Sequence, residues 1–329
     1  MTPSAIYDVY WKFAAERQAI YERRIAGATG KLTDDPILST YRFTNAYRAA
    51  DRVSQYLIRN ILYRSDRSVA PQEIFFRTLL FKIFNKIETW ELLEAQLGPL
   101  SWQSVDLDAV DRLLGRAMKG GARIYSPAYI MPAPRFGAER KHSNHLRLLS
   151  RMMEDGLPAR VEQAPSLKVV YELLRAQPGI GSFLAFQYAI DLNYSSMIDF
   201  DEADFVVAGP GALDGVAKCF GDSGGRPPEE VIYHMVDAQE REFLRLGLNF
   251  DGLFGRRLQP IDCQNLFCEI SKYTRVSHPD VAGLTGRTRI KQIYRQGSRI
   301  EDEPFFPPKW GLRPKVNLGR AGQVSMVFD

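Results

Sequence analysis

Apolar side chains recur every three or four residues along most of the chain, and this spacing predicts helices rather than strands. The first apolar stripe runs over residues 4–26 and includes Ile6 and Tyr10. Residues 38–64 follow the same spacing, and residues 72–97 are apolar over so much of the circumference that they predict one long core helix. Further helices are predicted at 107–118, 169–176, 182–192, 212–220, 228–246 and 261–275. The pattern therefore predicts an all-α fold.

Two stretches interrupt the helical pattern. Residues 119–137 combine Gly and Pro with aromatic residues, and long ordered loops of this kind often line the substrate site. Tyr125 and Tyr129 could stack on a nucleobase there, or simply hold the loop against the core. Residues 284–329 lose periodicity and are mostly basic, which predicts an irregular tail packed on the fold or on DNA. We therefore predict one helical catalytic domain, residues 1–283, followed by this tail.

The most informative stretch is a glycine-rich turn between two predicted helices. It reads Pro-Gly-Ile-Gly at residues 178–181, the pattern of a helix–hairpin–helix. Gly179 and Gly181 allow a tight turn and a close approach to the backbone. The amides of Gly181 and Ser182 begin the second helix, where unpaired N–H groups and the helix dipole attract anions. The turn is therefore a candidate contact for a DNA phosphate, although glycine and proline also serve turns that bind nothing.

Acidic residues follow the second helix of the hairpin. Asp201 lies twenty residues after Gly181, and Asp204 follows it closely. A carboxylate at such a position could stabilise positive charge that develops in a reaction, or could activate a water. The alternative is an acidic loop that faces solvent.

Polar residues within 38–64 also recur at helical steps. Asn45, Arg48 and Arg52 would share one helical face with Asp51 and Gln55. These side chains could pair with one another at the surface. They could instead line a cleft, with Arg48 or Arg52 on a phosphate or a sugar.

Composition narrows the class of protein. The chain has 329 residues, 45% of them hydrophobic, so it can bury a sizeable core. Its net charge of +4 is compatible with a nucleic-acid partner but does not require one. Three cysteines suit a reducing cytoplasm and cannot supply the four ligands of an iron–sulfur cluster. The histidines lack zinc-finger spacing, so no metal or other cofactor is predicted. No apolar run is long enough to cross a bilayer, the first residues do not read as a secretory signal, and a cytoplasmic protein is expected.

Several blocks together resemble one family. They are WKFAAERQAIYERR, DDPILSTYRFTNAYRAADRVSQYLI, FKIFNKIETW, RIYSPAYIMP, PGIGSFLAFQYAIDLNYS, DFVVAGPGALDGVAKCF and LFCEISKYTR. The chain is similar in these blocks to the α-glutamyl/putrescinyl-thymine pyrophosphorylase clade of DNA hypermodification proteins, whose core resembles that of the helix–hairpin–helix DNA glycosylases. The clade includes transferases that act on activated hydroxymethyluracil and anti-phage glycosylases that remove glucosylated hydroxymethylcytosine. The chain looks most like the second kind, because no kinase is fused to it.

The resemblance implies an active site around the hairpin. It implies Asp201 and Asp204 as catalytic carboxylates, with Gln187 and Asp191 as a second pair that reads the base edge or fixes a carboxylate. Gln187 and Asp191 are spaced i,i+4, so both can face one cleft. Bifunctional glycosylases place a lysine two residues beyond the second hairpin glycine, and Phe183 stands there in this chain. We therefore expect neither Schiff-base chemistry nor strand cleavage.

The expected activity is that of a monofunctional DNA glycosylase in anti-phage defence. It would flip a bulky modified base out of double-stranded phage DNA and excise it, which leaves an abasic site. The base that fits this expectation best is glucosylated hydroxymethylcytosine. One alternative is a transferase that attaches an amino acid or polyamine to activated hydroxymethyluracil in DNA. The other is a non-catalytic helix–hairpin–helix module that only binds DNA. Neither a membrane nor an obligate protein partner is expected.

Overall fold

The all-α prediction is confirmed. The computed structural model describes residues 1–128, 130–295 and 303–313. The α-helices are α1 (Ala5–Ile25), α2 (Pro36–Thr40), α3 (Arg52–Tyr56), α4 (Pro71–Phe84), α5 (Ile87–Leu97), α6 (Leu107–Lys119), α7 (Lys141–Glu154), α8 (Leu157–Glu162), α9 (Leu167–Arg175), α10 (Ser182–Asn193), α11 (Pro210–Cys219), α12 (Pro228–Arg245) and α13 (Pro260–Ser277). A π-helical turn, Leu57–Leu62, continues α3, and 3₁₀ turns lie at Arg48–Ala50, Glu202–Asp204 and Pro308–Trp310. Across these described ranges the strands are β1 (Thr2–Pro3) and β2 (Phe220–Asp222), which pair antiparallel.

The contacts between Cα atoms divide the chain into two compact units. The terminal unit comprises residues 1–50 and the chain from residue 210 onward, and the middle unit comprises residues 51–209. In the terminal unit, α1, α11 and α12 each pack against α13. In the middle unit, α4 packs against α7, α8 and α10. The single catalytic domain proposed for residues 1–283 remains a prediction.

In the terminal unit, α11 packs closely against α13. Gly215 on α11 has no side chain, and a Cβ added there would overlap the carbonyl oxygen of Phe267 and lie 2.7 Å from its carbonyl carbon. The absent side chain therefore sets how near the two helices come, because a backbone neighbour cannot rotate away.

Gly215→Ala is expected to destabilise the protein. The added methyl forces α11 and α13 apart, and overpacking of this kind typically costs about 1–3 kcal/mol of unfolding free energy. Urea unfolding followed by circular dichroism measures the loss. Gly221→Ala in β2 is the matched control, because a Cβ there meets no atom within 4 Å. Equal stabilities for the two variants would contradict the account of this packing.

The described parts of the predicted tail lie on the terminal unit. The N–H of Arg42 donates to the carbonyl of Gln292, and the N–H of Tyr294 donates to that of Thr40, each at 2.9 Å. Phe306 is buried, and its ring centroid lies 5.9 Å from that of Phe254. Residues 296–302 and 314–329 of the predicted tail lie outside the described residues.

Two predicted helices are wrong in extent. The long helix over 72–97 is two helices, because Asn85 adopts the left-handed conformation (φ 49°, ψ 38°) and ends α4. Asparagine tolerates that conformation better than most residues, so the apolar pattern continues while the helix axis changes.

The predicted helix over 38–64 is replaced by short pieces. After α2, the carbonyl of Thr44 accepts a hydrogen bond from Arg17 Nε at 2.8 Å, and its N–H donates to Glu269 at 3.1 Å. Side chains from α1 and α13 therefore satisfy the backbone that a helix would otherwise satisfy. Asn45 and Arg48 consequently do not share a helix with Arg52, which is a correction to the predicted common face.

Candidate functional site

The glycine-rich turn joins α9 to α10 as the sequence predicts. The N–H of Ile180 donates to the carbonyl of Gln177 at 3.1 Å, which closes the turn. Gly179 has φ 79°, a left-handed value that favours glycine. Ile180 is buried, and α9 packs against α10. The turn is thus a fixed structure in the middle unit.

Gly181 begins α10 without a capping side chain. Its backbone is extended (φ −80°, ψ 173°), and no side chain accepts a hydrogen bond from the first turn. Within the residues that the structure describes, the N–H groups of Gly181 and Ser182 make no hydrogen bond. Gly181 is exposed to solvent. The arrangement leaves backbone donors at the positive end of a helix dipole, which is the chemistry that holds a phosphate.

The loop over 119–137 packs on the hairpin. The ring and backbone of Pro134 lie against Gly179, where an added Cβ would stand 3.4 Å from the Pro134 Cβ and N atoms. Asn144 on α7 accepts hydrogen bonds from the N–H groups of Phe136 and Ala138, at 2.9 and 3.1 Å. The prediction of an ordered loop is confirmed, and Pro134 is a hairpin neighbour that sequence reasoning missed.

A buried histidine holds the same loop to α7. His145 Nε2 lies 2.9 Å from the carbonyl oxygen of Pro132, and its Nδ1 lies 2.7 Å from the hydroxyl of Tyr125. A carbonyl only accepts, so Nε2 carries the proton and Nδ1 accepts from the tyrosine. Tyr125, which the sequence predicts as a base-stacking residue, is half-buried, and its hydroxyl donates this hydrogen bond to His145. Its ring also lies against that of Phe84, with centroids 5.0 Å apart.

Lowering the pH is expected to loosen this loop through His145. Burial lowers the pKa of His145 to about 4, below the value of about 6.5 expected in the unfolded chain. The unfolded state therefore binds the extra proton first, and stability is lost as the pH falls from about 6.5 to about 4, by at most about 3 kcal/mol. Unfolding free energies of the wild type and of His145→Gln, measured from pH 7 to pH 4.5, should converge. His278→Gln in the terminal unit is the control, and a constant gap between wild type and His145→Gln would contradict the prediction.

The predicted pair on α10 is buried. Gln187 and Asp191 have relative exposures of 3% and 0%. Asp191 forms an ion pair with Lys82 of α4, with 3.2 Å between Oδ2 and Nζ, and Lys82 is itself 2% exposed. The sequence analysis did not identify Lys82. A lysine inside so apolar a helix indicates an oppositely charged partner, because lysines are rarely buried without one. This buried ion pair joins α4 to α10, the helix that begins at the hairpin turn.

A side-chain clamp positions the two candidate catalytic carboxylates. The amide of Asn193 at the end of α10 donates to the carbonyl of Phe200 and accepts from its N–H, both at 2.9 Å. Asp201 follows at once and accepts a hydrogen bond from the N–H of Ala203 at 2.9 Å. Asp201 and Asp204 are exposed. The next residue packs back on the hairpin helices, because the ring of Phe205 lies 5.0 Å from that of Tyr171 and 5.9 Å from that of Phe186.

The remaining candidates lie apart in the chain. In the terminal unit, the Asn45 amide donates to the carbonyl of Ala50 and accepts from Arg17, so it holds a turn together. Arg48 is buried, and its N–H donates to Asp262 at 2.9 Å. Burial raises the pKa of Asp262 to about 6.

In the middle unit, Arg52 is exposed, and its guanidinium nitrogen Nη2 lies 3.5 Å from the carboxylate oxygen Oε1 of Glu88. Tyr129, the other predicted stacking residue, lies outside the described residues.

Among the described residues, no helix is both long and apolar enough to span a membrane. Residues 1–128, 130–295 and 303–313 likewise contain no group of three or more His, Cys, Asp or Glu side chains that could hold a metal ion.

The protein is helical, and its hairpin leaves the N–H groups of Gly181 and Ser182 uncapped at the start of α10. A family model described as "5-hmdU DNA kinase, helical domain" matches residues 4–283. The chain belongs to this family, which places it among the DNA hypermodification proteins indicated by the sequence blocks. A relative named 5-hmdU DNA kinase, from Bacillus phage SP10, is 26% identical over 291 residues, which cover 83% of this chain and 45% of the relative. The chain thus spans less than half the length of that relative. No solved structure matches it.

Proposed function

We propose that this chain binds double-stranded DNA containing 5-hydroxymethylated pyrimidines and acts on the modified base. The match of residues 4–283 to the helical domain of the 5-hmdU DNA kinases carries this proposal. The hairpin supports it, because the amides of Gly181 and Ser182 offer donors to a backbone phosphate. The modified base then distinguishes the substrate from ordinary DNA.

The chemistry that we propose is substitution at the hydroxymethyl group. An amine nitrogen attacks the methylene carbon of a phosphorylated hydroxymethyl group, the new C–N bond forms, the C–O bond to the phosphate breaks, and phosphate leaves with that electron pair. The proton lost by the amine passes to a base or to solvent. The bond between base and sugar stays intact. The relationship to proteins named for 5-hmdU favours this transferase over the glycosylase expected from the sequence.

The proposed function of this chain does not include the kinase activity in the name of the phage relative. The match covers 45% of that protein, so more than half of it has no counterpart in this alignment. What the shared part supports is recognition of the DNA and of its modified base.

A DNA glycosylase is the second candidate. It is favoured by one observation, the exposed carboxylates of Asp201 and Asp204 directly after the Asn193 clamp. A carboxylate there could face the sugar of an extruded nucleotide and stabilise its positive charge. The product would be a free base, such as glucosylated hydroxymethylcytosine, and an abasic site.

One experiment separates the two chemistries. Duplexes carrying 5-hydroxymethyluracil, its phosphorylated form, glucosylated hydroxymethylcytosine or only unmodified bases are incubated with the protein and a mixture of amino acids and polyamines. Nucleoside mass spectrometry then follows the base, and alkali treatment reveals abasic sites. An amine adduct on the phosphorylated base with alkali-stable strands supports the transferase, whereas a released base with alkali-labile strands supports the glycosylase.

The controls address the residues and the substrate. Asp201→Asn and Asp204→Asn should abolish base release if the glycosylase operates. Unmodified DNA should give neither product. If all four duplexes are unchanged and none is bound, the proposed function is wrong.

A further inference from the structure

The loop that covers the hairpin displays an apolar side chain to solvent. Ile130 is 86% exposed, the highest value among the large apolar residues that the structure describes. An isoleucine that is exposed to this extent forgoes most of the stabilisation that burial would give it. Its surroundings indicate what it contacts in a complex.

Ile130 projects from a fixed support in the middle unit. The next residue, Met131, is 6% exposed, and its sulfur lies 3.6 Å from the hydroxyl of Tyr188 on α10. The following Pro132 is held by His145, and Pro134 packs on Gly179 of the hairpin. The exposed side chain therefore lies on a loop segment whose neighbouring residues contact α10, His145 of α7 and the hairpin turn.

The charge around Ile130 suits DNA. Residues 112–138 contain no Asp or Glu. Arg123 and Arg135, on either side of Ile130 in sequence, are both exposed. Positive charge near a duplex favours contact with phosphates and leaves an apolar side chain free to meet the bases.

We propose that Ile130 is a wedge that enters the base stack and fills the space left by the modified nucleotide when it turns out of the duplex. This inference rests on the proposed function and adds to it that the modified nucleotide turns out of the duplex before it reacts. Extruding a base costs a few kcal/mol of stacking and pairing, and apolar side chains inserted between base steps are a known way to offset that cost. Isoleucine suits the role because its branched side chain has few rotamers to lose. Ile130 is a positioning residue, since it acts on the stack and not on the reacting atoms.

The test compares paired and unpaired DNA. A duplex carries 5-hydroxymethyluracil next to 2-aminopurine, whose fluorescence rises when it unstacks, and the single strand of the same sequence serves as the second ligand. Ile130→Ala is expected to lose the fluorescence rise and to bind the duplex about tenfold more weakly, with single-strand affinity within about twofold of wild type, because a single strand needs no wedge. Ile130→Leu should retain both properties. Val69→Ala, which also shortens an exposed apolar side chain (70%) in the middle unit, should behave as wild type.

The outcomes separate the wedge from the function on which it rests. If Ile130→Ala keeps the fluorescence rise, or weakens binding to duplex and single strand equally, the wedge is wrong while the proposed function stands. If the wild type binds the modified duplex no better than an unmodified one, both proposals fail.

Discussion

Lys82→Met is expected to lower the free energy of unfolding by about 3–5 kcal/mol. Lys82 and Asp191 are both almost fully buried, with 3.2 Å between Nζ and Oδ2. Removing the lysine leaves a carboxylate in the interior without this partner, and an uncompensated buried charge is costly. Urea unfolding at pH 7 followed by circular dichroism measures the loss.

Two further variants show that the loss comes from the buried charge. Lys86→Met removes a lysine four residues later that pairs at 3.7 Å with the more exposed Glu88, so it should cost less than about 1 kcal/mol. The double variant Lys82→Met/Asp191→Leu removes both charges and should be more stable than Lys82→Met alone. If Lys82→Met and Lys86→Met lose the same stability, the ion pair is not what joins α4 to α10.

Gly181→Asp is expected to weaken DNA binding by about 10–150-fold while leaving the fold intact. The extended backbone at Gly181 accepts any residue, and an added Cβ meets no atom within 4 Å. Aspartate is a good N-cap, so its carboxylate would occupy the amides at the start of α10 and stabilise the helix. The same carboxylate repels a phosphate and takes its donors, and a hydrogen bond to a charged group contributes about 1.5–3 kcal/mol.

Gly181→Asn separates charge from capping. Asparagine caps a helix about as well as aspartate but carries no charge. It should therefore bind DNA more tightly than Gly181→Asp, and both variants should have melting temperatures at or above that of the wild type. Fluorescence anisotropy with a labelled duplex gives the dissociation constants. Unchanged affinity in Gly181→Asp would exclude the hairpin as the phosphate contact.

The helices that follow simple periodicity could be predicted because an amphipathic stripe depends only on local sequence. The exceptions have physical causes. Asn85 ends α4 by adopting a left-handed conformation, and the apolar spacing continues because α5 buries a face of its own. The backbone at Thr44 is satisfied by Arg17 and Glu269, which are distant in sequence, so local spacing carries no sign of it.

In the candidate site too, some features could be predicted from local sequence and others could not. The hairpin could be predicted because a tight turn before a helix needs glycine at defined positions. The partner of Asp191 could not, because Lys82 lies on another helix and only packing brings the two together. Asp201 and Asp204 stay predictions as catalytic residues, since their exposed carboxylates are compatible with catalysis and with a solvated loop alike.

The most direct test of the central claim is the affinity for modified DNA. Anisotropy titrations at one fixed salt concentration would compare two duplexes that differ only in a single 5-hydroxymethyluracil in place of thymine. The account predicts at least about tenfold tighter binding of the modified duplex, about 1.4 kcal/mol, and weaker binding of both duplexes by Gly181→Asp. Equal affinity for the two duplexes, or none for either, would contradict it.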